Sequence, residues 1–341
     1  MKEREIRPLD LFARYQKLSL EEIRVFFSEK SCFVQINCPG CASAKNRPAF
    51  EKFGFRYVEC NQCGSLFTSP RPSQQVLDAY YSNSASANYW AEVFFPAVME
   101  SRREKIFLPR VRQIQSLLEE KSIDPKVVMD VGAGYGIFLE EYKKQFPSAH
   151  VCAVEPGQKM ARVCQGKGIE TLLSTAEAAN SWAGKANLVS CFEVVEHVFA
   201  PEEFVLALSR LLKTGGHLLI SGLGVEGFDI QVLWDKSKSI YPPYHLNFLS
   251  VQGFEMLFNR LGFKDVQVET PGHLDVDIVA NALEEDPSIS IDRFFQLLLH
   301  RKGVELANFQ EFLIENRLSS HCRIFAEKTE DNMTGGCAVG E

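Results

Sequence analysis

The stretch Val127-Val128-Met129-Asp130-Val131-Gly132-Ala133-Gly134-Tyr135-Gly136-Ile137-Phe138-Leu139 constrains the fold more than any other. The apolar residues ahead of Asp130 suit a parallel strand covered on both faces. Gly132, Gly134 and Gly136 allow a sharp turn and leave room for a ligand against the backbone. The apolar run from Ile137 begins a helix whose N-terminus points at whatever rests on that turn. The spacing is G-x-G-x-G, not the dinucleotide G-x-G-x-x-G, and an aspartate stands two residues before the first glycine.

From residue 126 onward strand and helix patterns alternate. Strands are expected at 126–131, 150–155, 169–173, 186–192, 216–221, 264–269 and 322–327, and helices at 136–146, 158–166, 201–212 and 251–261. This alternation predicts an α/β, doubly wound sheet with helices on both faces. Residues 126–328 would form that domain, with a helical insert over 271–318 before the last strand. Residues 1–31 read as an amphipathic helical segment, with Ser19 and Glu22 spaced as a capping box. Residues 71–125 read as a helical linker or flap, rich in aromatics at Tyr80, Tyr81, Tyr89, Trp90, Phe94 and Phe95. Residues 329–341 read as a disordered tail.

Residues 32–70 differ in character. Cys38-Pro39-Gly40-Cys41 and Cys60-Asn61-Gln62-Cys63 are two C-x-x-C knuckles, with Phe53, Phe55, Tyr57 and Val58 between them as a short strand. The spacing is that of a zinc ribbon, and four thiolates make a closed tetrahedral Zn²⁺ site with a structural role. Cys152, Cys164, Cys191 and Cys322 are scattered and read as small apolar residues.

In an open parallel sheet the ligand lies beyond the carboxyl ends of the strands. Asp130 and the glycines end the first strand. Glu155 ends the second, placed to accept hydrogen bonds from two ribose hydroxyls. Glu177 follows the third and stands either near an adenine amine or free at a helix start. Phe192 closes the fourth and is a candidate to face a cation, as are Tyr135, Tyr89 and Trp90. If the next turn is helical, Glu193, Glu196 and His197 share one face.

With Leu212-Lys213-Thr214-Gly215-Gly216, these motifs carry a resemblance. Over about residues 100–328 the chain resembles the class I S-adenosylmethionine-dependent methyltransferases. The resemblance implies a seven-stranded Rossmann-like sheet with an antiparallel last strand. It implies that Gly132, Gly134 and Gly136 cradle the methionine part of S-adenosylmethionine, that Asp130 supports the loop and that Glu155 holds the ribose. The branch it most resembles contains ubiquinone-biosynthesis O-methyltransferases and small-RNA 2′-O-methyltransferases. Some of these bind Mg²⁺ through an E-x-x-E-H motif, which Glu193, Glu196 and His197 match, with His245 as a further ligand. Mg²⁺ prefers oxygen ligands and water, so a histidine acting as base, or simply packed there, is the competing reading. His245, His197 and Glu196 are therefore the catalytic candidates.

The remaining features narrow the function class. A net charge of −7 argues against a nucleic-acid scaffold, and Arg102, Arg103, Lys105, Arg110 and Arg112 read as a solvated helix face. The charged N-terminus leads into no apolar signal region, and no apolar run approaches the ~18 residues of a membrane span. The expectation is a cytoplasmic enzyme without a membrane partner that methylates a small-molecule acceptor, such as a sugar or secondary-metabolite hydroxyl. Two alternatives are an RNA methyltransferase gripping its substrate with the ribbon and a noncatalytic cofactor-binding module. The insert at 271–318 would select the acceptor, with Asp275 and Asp277 binding its hydroxyls or capping a helix.

Overall fold

The structure, a computed structural model, describes residues 1–301 and 303–329. Two helices open the chain, α1 (Glu3–Ile6) and α2 (Leu9–Phe26). The ribbon region follows as β1 (Phe33–Val34), β2 (Asn46–Lys52), β3 (Phe55–Cys60), β4 (Leu66–Thr68) and β5 (Arg71–Pro72). The helices α3 (Gln74–Asn83), α4 (Ala85–Tyr89), α5 (Phe95–Arg102) and α6 (Leu108–Glu120) lead to the sheet. π-helical turns at Trp90–Phe94 and Arg103–Phe107 precede α5 and α6. Pro96 and Pro109 stand near the starts of those helices. A proline lacks the N–H and crowds the carbonyl four residues back, which favours such widened turns.

The central sheet holds β6 (Val127–Val131), β7 (His150–Val154), β8 (Glu170–Leu172), β9 (Ala186–Phe192), β10 (Leu212–Leu223), β12 (Phe263–Glu269) and β13 (His321–Lys328). Its seven strands run in the order β12-β13-β10-β9-β6-β7-β8. The strands from β8 to β10 are parallel, and β13 is antiparallel to both neighbours, as the resemblance implies. Alternating residues of β6 serve opposite faces. Met129 joins a core with Val189, Phe204, Leu208 and Phe254 under α9 (Pro201–Leu211) and α11 (Val251–Arg260). Val128 joins the other with Ile114, Leu118, Phe138 and Tyr142 under α6 and α7 (Ile137–Gln145). Helix α8 (Gln158–Gly166) completes the alternation. Gly215, expected in a turn, lies inside β10 at φ 70°, where the register with β9 shifts.

A second sheet joins the ribbon to the catalytic region. Its order is β11-β4-β3-β2, and β11 (Asn247–Phe248) belongs to the segment after α10 (Phe228–Leu233). Buried Arg71 locks this seam. Its guanidinium donates to the carbonyls of Thr68, Phe199 and Leu246 and to Asn247 Oδ1. Helix α2 covers the ribbon with Tyr15, Ile23 and Phe27, packed with Phe55, Tyr57, Tyr241 and Tyr244. The insert forms α12 (Asp275–Glu285), α13 (Arg293–Leu299) and α14 (Val304–Glu315), and its own apolar cluster packs on Phe228 and Leu233 of α10.

Several expectations change. Ser19 lies in mid-helix, so it caps nothing. Glu22 instead accepts from the Ala85 and Ser86 N–H groups at the start of α4. Phe53 sits in a two-residue hairpin turn at φ 50° beside Gly54, not in the strand. Asp275 and Asp277 are staples. Asp275 is buried and accepts from Ser320 N, Ser319 Oγ and Gln310 Nε2, while Asp277 takes Glu3 N and Lys2 Nζ. Of the tail, only Thr329 lies within the described residues, and Cys337 lies outside them. Among the described residues no helix is long and apolar enough to cross a membrane.

The Arg71 seam has a measurable cost of removal. Arg71→Met should lower unfolding free energy by about 3 kcal/mol or more, because it leaves several buried acceptors unpaired. Urea denaturation of the two proteins measures the difference, and a change within error would mean that the seam is held by packing alone.

Candidate functional site

The glycine loop lies at the carboxyl end of β6. Gly132 and Gly134 adopt φ of 71° and 55°, backbone that other residues rarely take. A Cβ on Gly132 would meet Val194 Cγ2 at 2.9 Å, whereas one on Gly134 would project into open space. Glu155, at the end of β7, faces this loop. Its two carboxylate oxygens accept from Gly134 N and Gly157 N, each at 2.8 Å. Burial raises the Glu155 carboxyl, and these two N–H groups oppose the rise. Asp130 is only 3% exposed and accepts from Ser190 Oγ at 2.7 Å, across the β6–β9 pair. Burial pushes Asp130 up to about 7 against the pull of Ser190 and Arg110. Glu177 lies exposed in a turn after β8, not at a helix start.

Phe192 carries the Arg110 guanidinium 4.3 Å from its ring centre and meets Phe138 edge-on at 4.8 Å. The ring expected to face a ligand cation is thus already engaged by one of the protein's own. Tyr135 stacks on Phe95 at 5.0 Å and bonds the Ala91 carbonyl, which ties the glycine loop to the first π turn.

The Glu193-to-Val198 turn is not helical, because Glu193 has φ 56° and the backbone closes only at His197 N to Val194 O. Glu193 therefore parts from Glu196 and His197. It faces Arg110 at 3.4 Å and His321 at 3.4 Å, and accepts from Ser221 Oγ. Burial alone would raise Glu193; His321, Arg110 and Ser221 outweigh it and hold the carboxylate ionised.

Glu196, His197 and His245 do converge. Their potential ligand atoms lie within 4.8 Å of one another. Glu196 is 2% exposed, and its Oε2 has no hydrogen-bond partner among the described residues. Burial, then the Glu193 charge, raise its pKa well above the carboxylate range. A Cβ on Gly222 would meet Oε2 at 2.8 Å, so the glycine makes room for this side chain. His197 Nδ1 bonds the Tyr244 carbonyl at 2.7 Å and His245 Nδ1 bonds the Ser239 carbonyl. A carbonyl only accepts, so both Nδ1 atoms carry the proton and both Nε2 lone pairs remain available. Burial lowers both imidazoles, His245 to about 3 with the help of His197. The rings are 4.9 Å apart.

The ribbon supports this cluster. Tyr57 Oη donates to the His245 carbonyl at 2.7 Å, and Asn247 Nδ2 to the Val198 carbonyl at 2.8 Å. Cys38, Cys41, Cys60 and Cys63 also converge, with Sγ pairs at 3.5 Å (Cys38–Cys63) and 3.4 Å (Cys41–Cys60). A tetrahedral zinc with bonds of about 2.3 Å spaces its sulfurs at about 3.8 Å, so the cluster is of the right size.

The basic run on α5 and α6 was misjudged as a solvated face. Arg103 pairs with Glu140 and Glu141, Lys105 with Glu5 and Arg110 with Glu193; only Arg112 is fully exposed. Arg7, Ser221 and Asn247 belong to no spaced motif, and the sequence gives no site role to Arg102, Arg110 or Tyr57.

Residues 100–268 match a family described as a methyltransferase domain. The ubiquinone biosynthesis O-methyltransferase of Pectobacterium atrosepticum is 33% identical over 103 residues, 28% of this chain and 42% of that protein. The protein of that name from Escherichia coli O127:H6 is 31% identical over 109 residues, 30% of this chain and 45% of the relative. The chain thus spans less than half the length of these relatives. Among solved structures, a Thermotoga maritima S-adenosylmethionine-dependent methyltransferase aligns at 19% identity and TM-score 0.46, over 69% of this chain and 97% of that one. The plantazolicin methyltransferase BpumL in complex with SAH aligns at 14% identity and TM-score 0.49, over 74% and 94%.

Asp130 supplies a test of these electrostatics. Burial lifts it to about 7 from the ordinary aspartate value of 3.8, so the native state binds more protons between those values. Wild-type stability should fall relative to Asp130→Asn as pH rises from about 4 to 7, by as much as about 4 kcal/mol, and level off above. Urea unfolding across that range reads the effect, and a pH-independent difference would mean that Asp130 stays ionised.

Proposed function

We propose that this chain, which belongs to the class I S-adenosylmethionine-dependent methyltransferases, transfers a methyl group to a hydroxyl of a small-molecule acceptor. The observation that carries the reading is an open glycine loop bonded to Glu155, in the same domain as the convergent Glu196–His197–His245 cluster. Gly134 leaves space for the methionine portion of the cofactor, and Glu155 retains lone pairs for the ribose hydroxyls. The bound sulfonium supplies an activated methyl. The protein then needs to hold the acceptor in line and to receive its proton.

The cluster suits the second task. Both imidazoles are neutral at pH 7, with Nε2 free to accept. His245, lowered to about 3, is a weak base, so His197 is assigned the proton and His245 a positioning role. A second reading rests on the three convergent donor atoms. Imidazoles anchored through Nδ1 to carbonyls are a common arrangement around a metal. Two nitrogens and one carboxylate fit zinc or iron(II) better than Mg²⁺, and such an ion would lower the hydroxyl pKa as a Lewis acid. The thiolate cluster is assigned a structural zinc. Among the described residues the α5–α6 basic side chains are mostly paired, which supports a small acceptor over RNA.

Two measurements test these assignments. Calorimetry with S-adenosylhomocysteine should show binding that Glu155→Ala weakens at least about ten-fold, the worth of one charged hydrogen-bond pair. Absence of binding to the wild type would overturn the cofactor assignment. Metal analysis should find one zinc per chain that is lost in Cys60→Ser/Cys63→Ser. A second equivalent of metal that disappears in His197→Ala/His245→Ala would decide for the Lewis-acid reading, and its absence for the histidine base.

A further inference from the structure

Arg102 ends α5, between the two π turns. Its guanidinium lies 5.4 Å from the ring centres of both Trp90 and Phe95. Its Nε is shut off from solvent without an acceptor, and among the described residues the side chain makes no hydrogen bond or ion pair. Every nearby arginine of α5 and α6 that is withdrawn from water has a carboxylate: Arg103 has Glu140 and Glu141, and Arg110 has Glu193. Arg102 has none. Burial, then the charge of Arg7, push it down to about 9 against the pull of Glu193. A guanidinium N–H shut off from water without an acceptor costs stability unless a partner completes it.

The surroundings say where that partner would lie. Phe95 stacks on Tyr135 of the glycine loop. Trp90 packs on Tyr15, and Tyr15 on Tyr244, the neighbour of His245. Arg7 acts on both Arg102 and His245. Arg7 itself is only loosely held, 3.5 Å from Glu3. Helix α1, which carries it, is fastened beside Arg102 by Ser101 Oγ to the Glu5 carbonyl at 2.7 Å. Arg7 and Arg102 thus bring positive charge beside the rings of Trp90 and Phe95, which aromatic contacts join to the glycine loop on one side and to Tyr244 on the other.

We infer that the methyl acceptor is an anion, carrying a carboxylate or phosphate group that Arg102 and Arg7 bind while its hydroxyl faces the Glu196–His197–His245 cluster. The inference rests on the methyltransferase reading and narrows its substrate class. A planar guanidinium with free donors suits either group bidentately. The aromatic rings beside it suit an acceptor with a flat or apolar body.

Trp90 serves as a reporter. Full-length protein saturated with S-adenosylhomocysteine would be titrated with inorganic phosphate and, separately, benzoate, following tryptophan fluorescence. With S-adenosylhomocysteine bound, an anion that still binds occupies a place the cofactor product leaves open. Saturable binding of either probe at about millimolar concentration is expected. Arg102→Gln and Arg7→Gln should each weaken it at least ten-fold, Arg102→Lys less. Their affinity for S-adenosylhomocysteine should change less than three-fold. The stronger probe identifies phosphate or carboxylate as the preferred group. Arg102→Gln should also be as stable as the wild type or more so. No saturable binding, or variants that weaken S-adenosylhomocysteine and leave the probes unaffected, would overturn the inference. So would a marked loss of stability in Arg102→Gln, which would make the residue structural. If S-adenosylhomocysteine does not bind at all, the cofactor reading fails, and the same titration without it still reads the anion site.

Discussion

A single buried guanidinium holds the two halves of the molecule in register. Arg71 spends its donors on Thr68 in the ribbon and on Phe199, Leu246 and Asn247 in the catalytic region. Asn247 passes the constraint on, donating to the carbonyls of Val195 and Val198 on either side of Glu196 and His197. The loops bearing Glu196, His197 and His245 have little regular structure of their own. Without a strand or helix ladder, their backbone groups must find partners elsewhere, and the ribbon seam supplies them.

The charged groups around the site are matched unevenly. At the glycine-loop end, carboxylates meet hydrogen-bond donors: Asp130 has Ser190, and Glu155 has two backbone N–H groups. Glu193 faces Arg110 and His321. Glu196 and Arg102 each keep a polar atom out of water without a partner among the described residues. Unsatisfied groups of this kind are costly in a fold, and they concentrate where a second molecule completes them.

The sheet was legible because its signals are local. Val128 and Met129 face opposite cores, as a strand covered on both sides requires, and the seven strands fall close to their expected positions. The glycines, Glu155 and the four cysteines were legible for the same reason, since spacing encodes them. The three residues of the E-x-x-E-H turn would share one face only in a helix, and Glu193 adopts a left-handed conformation instead, which the motif does not encode. Arg102 and Arg110 were hidden because a charge run usually faces solvent; here the π turns and the packing of α1 turn two of its members inward. Asp277 belongs to an interaction 274 residues distant along the chain, which no local pattern encodes.

The pairing of β4 with β11 also bears on how such a protein can be recombined. A module that shares a sheet with its neighbour cannot be exchanged by cutting at the linker between them. A chimera crossing over near Pro72 would graft one parent's β4 against another's β11 and would need their registers and the Arg71–Asn247 contact to agree. The ribbon and the segment up to Phe248 therefore form one heritable unit, and acceptor preference would travel with both or with neither.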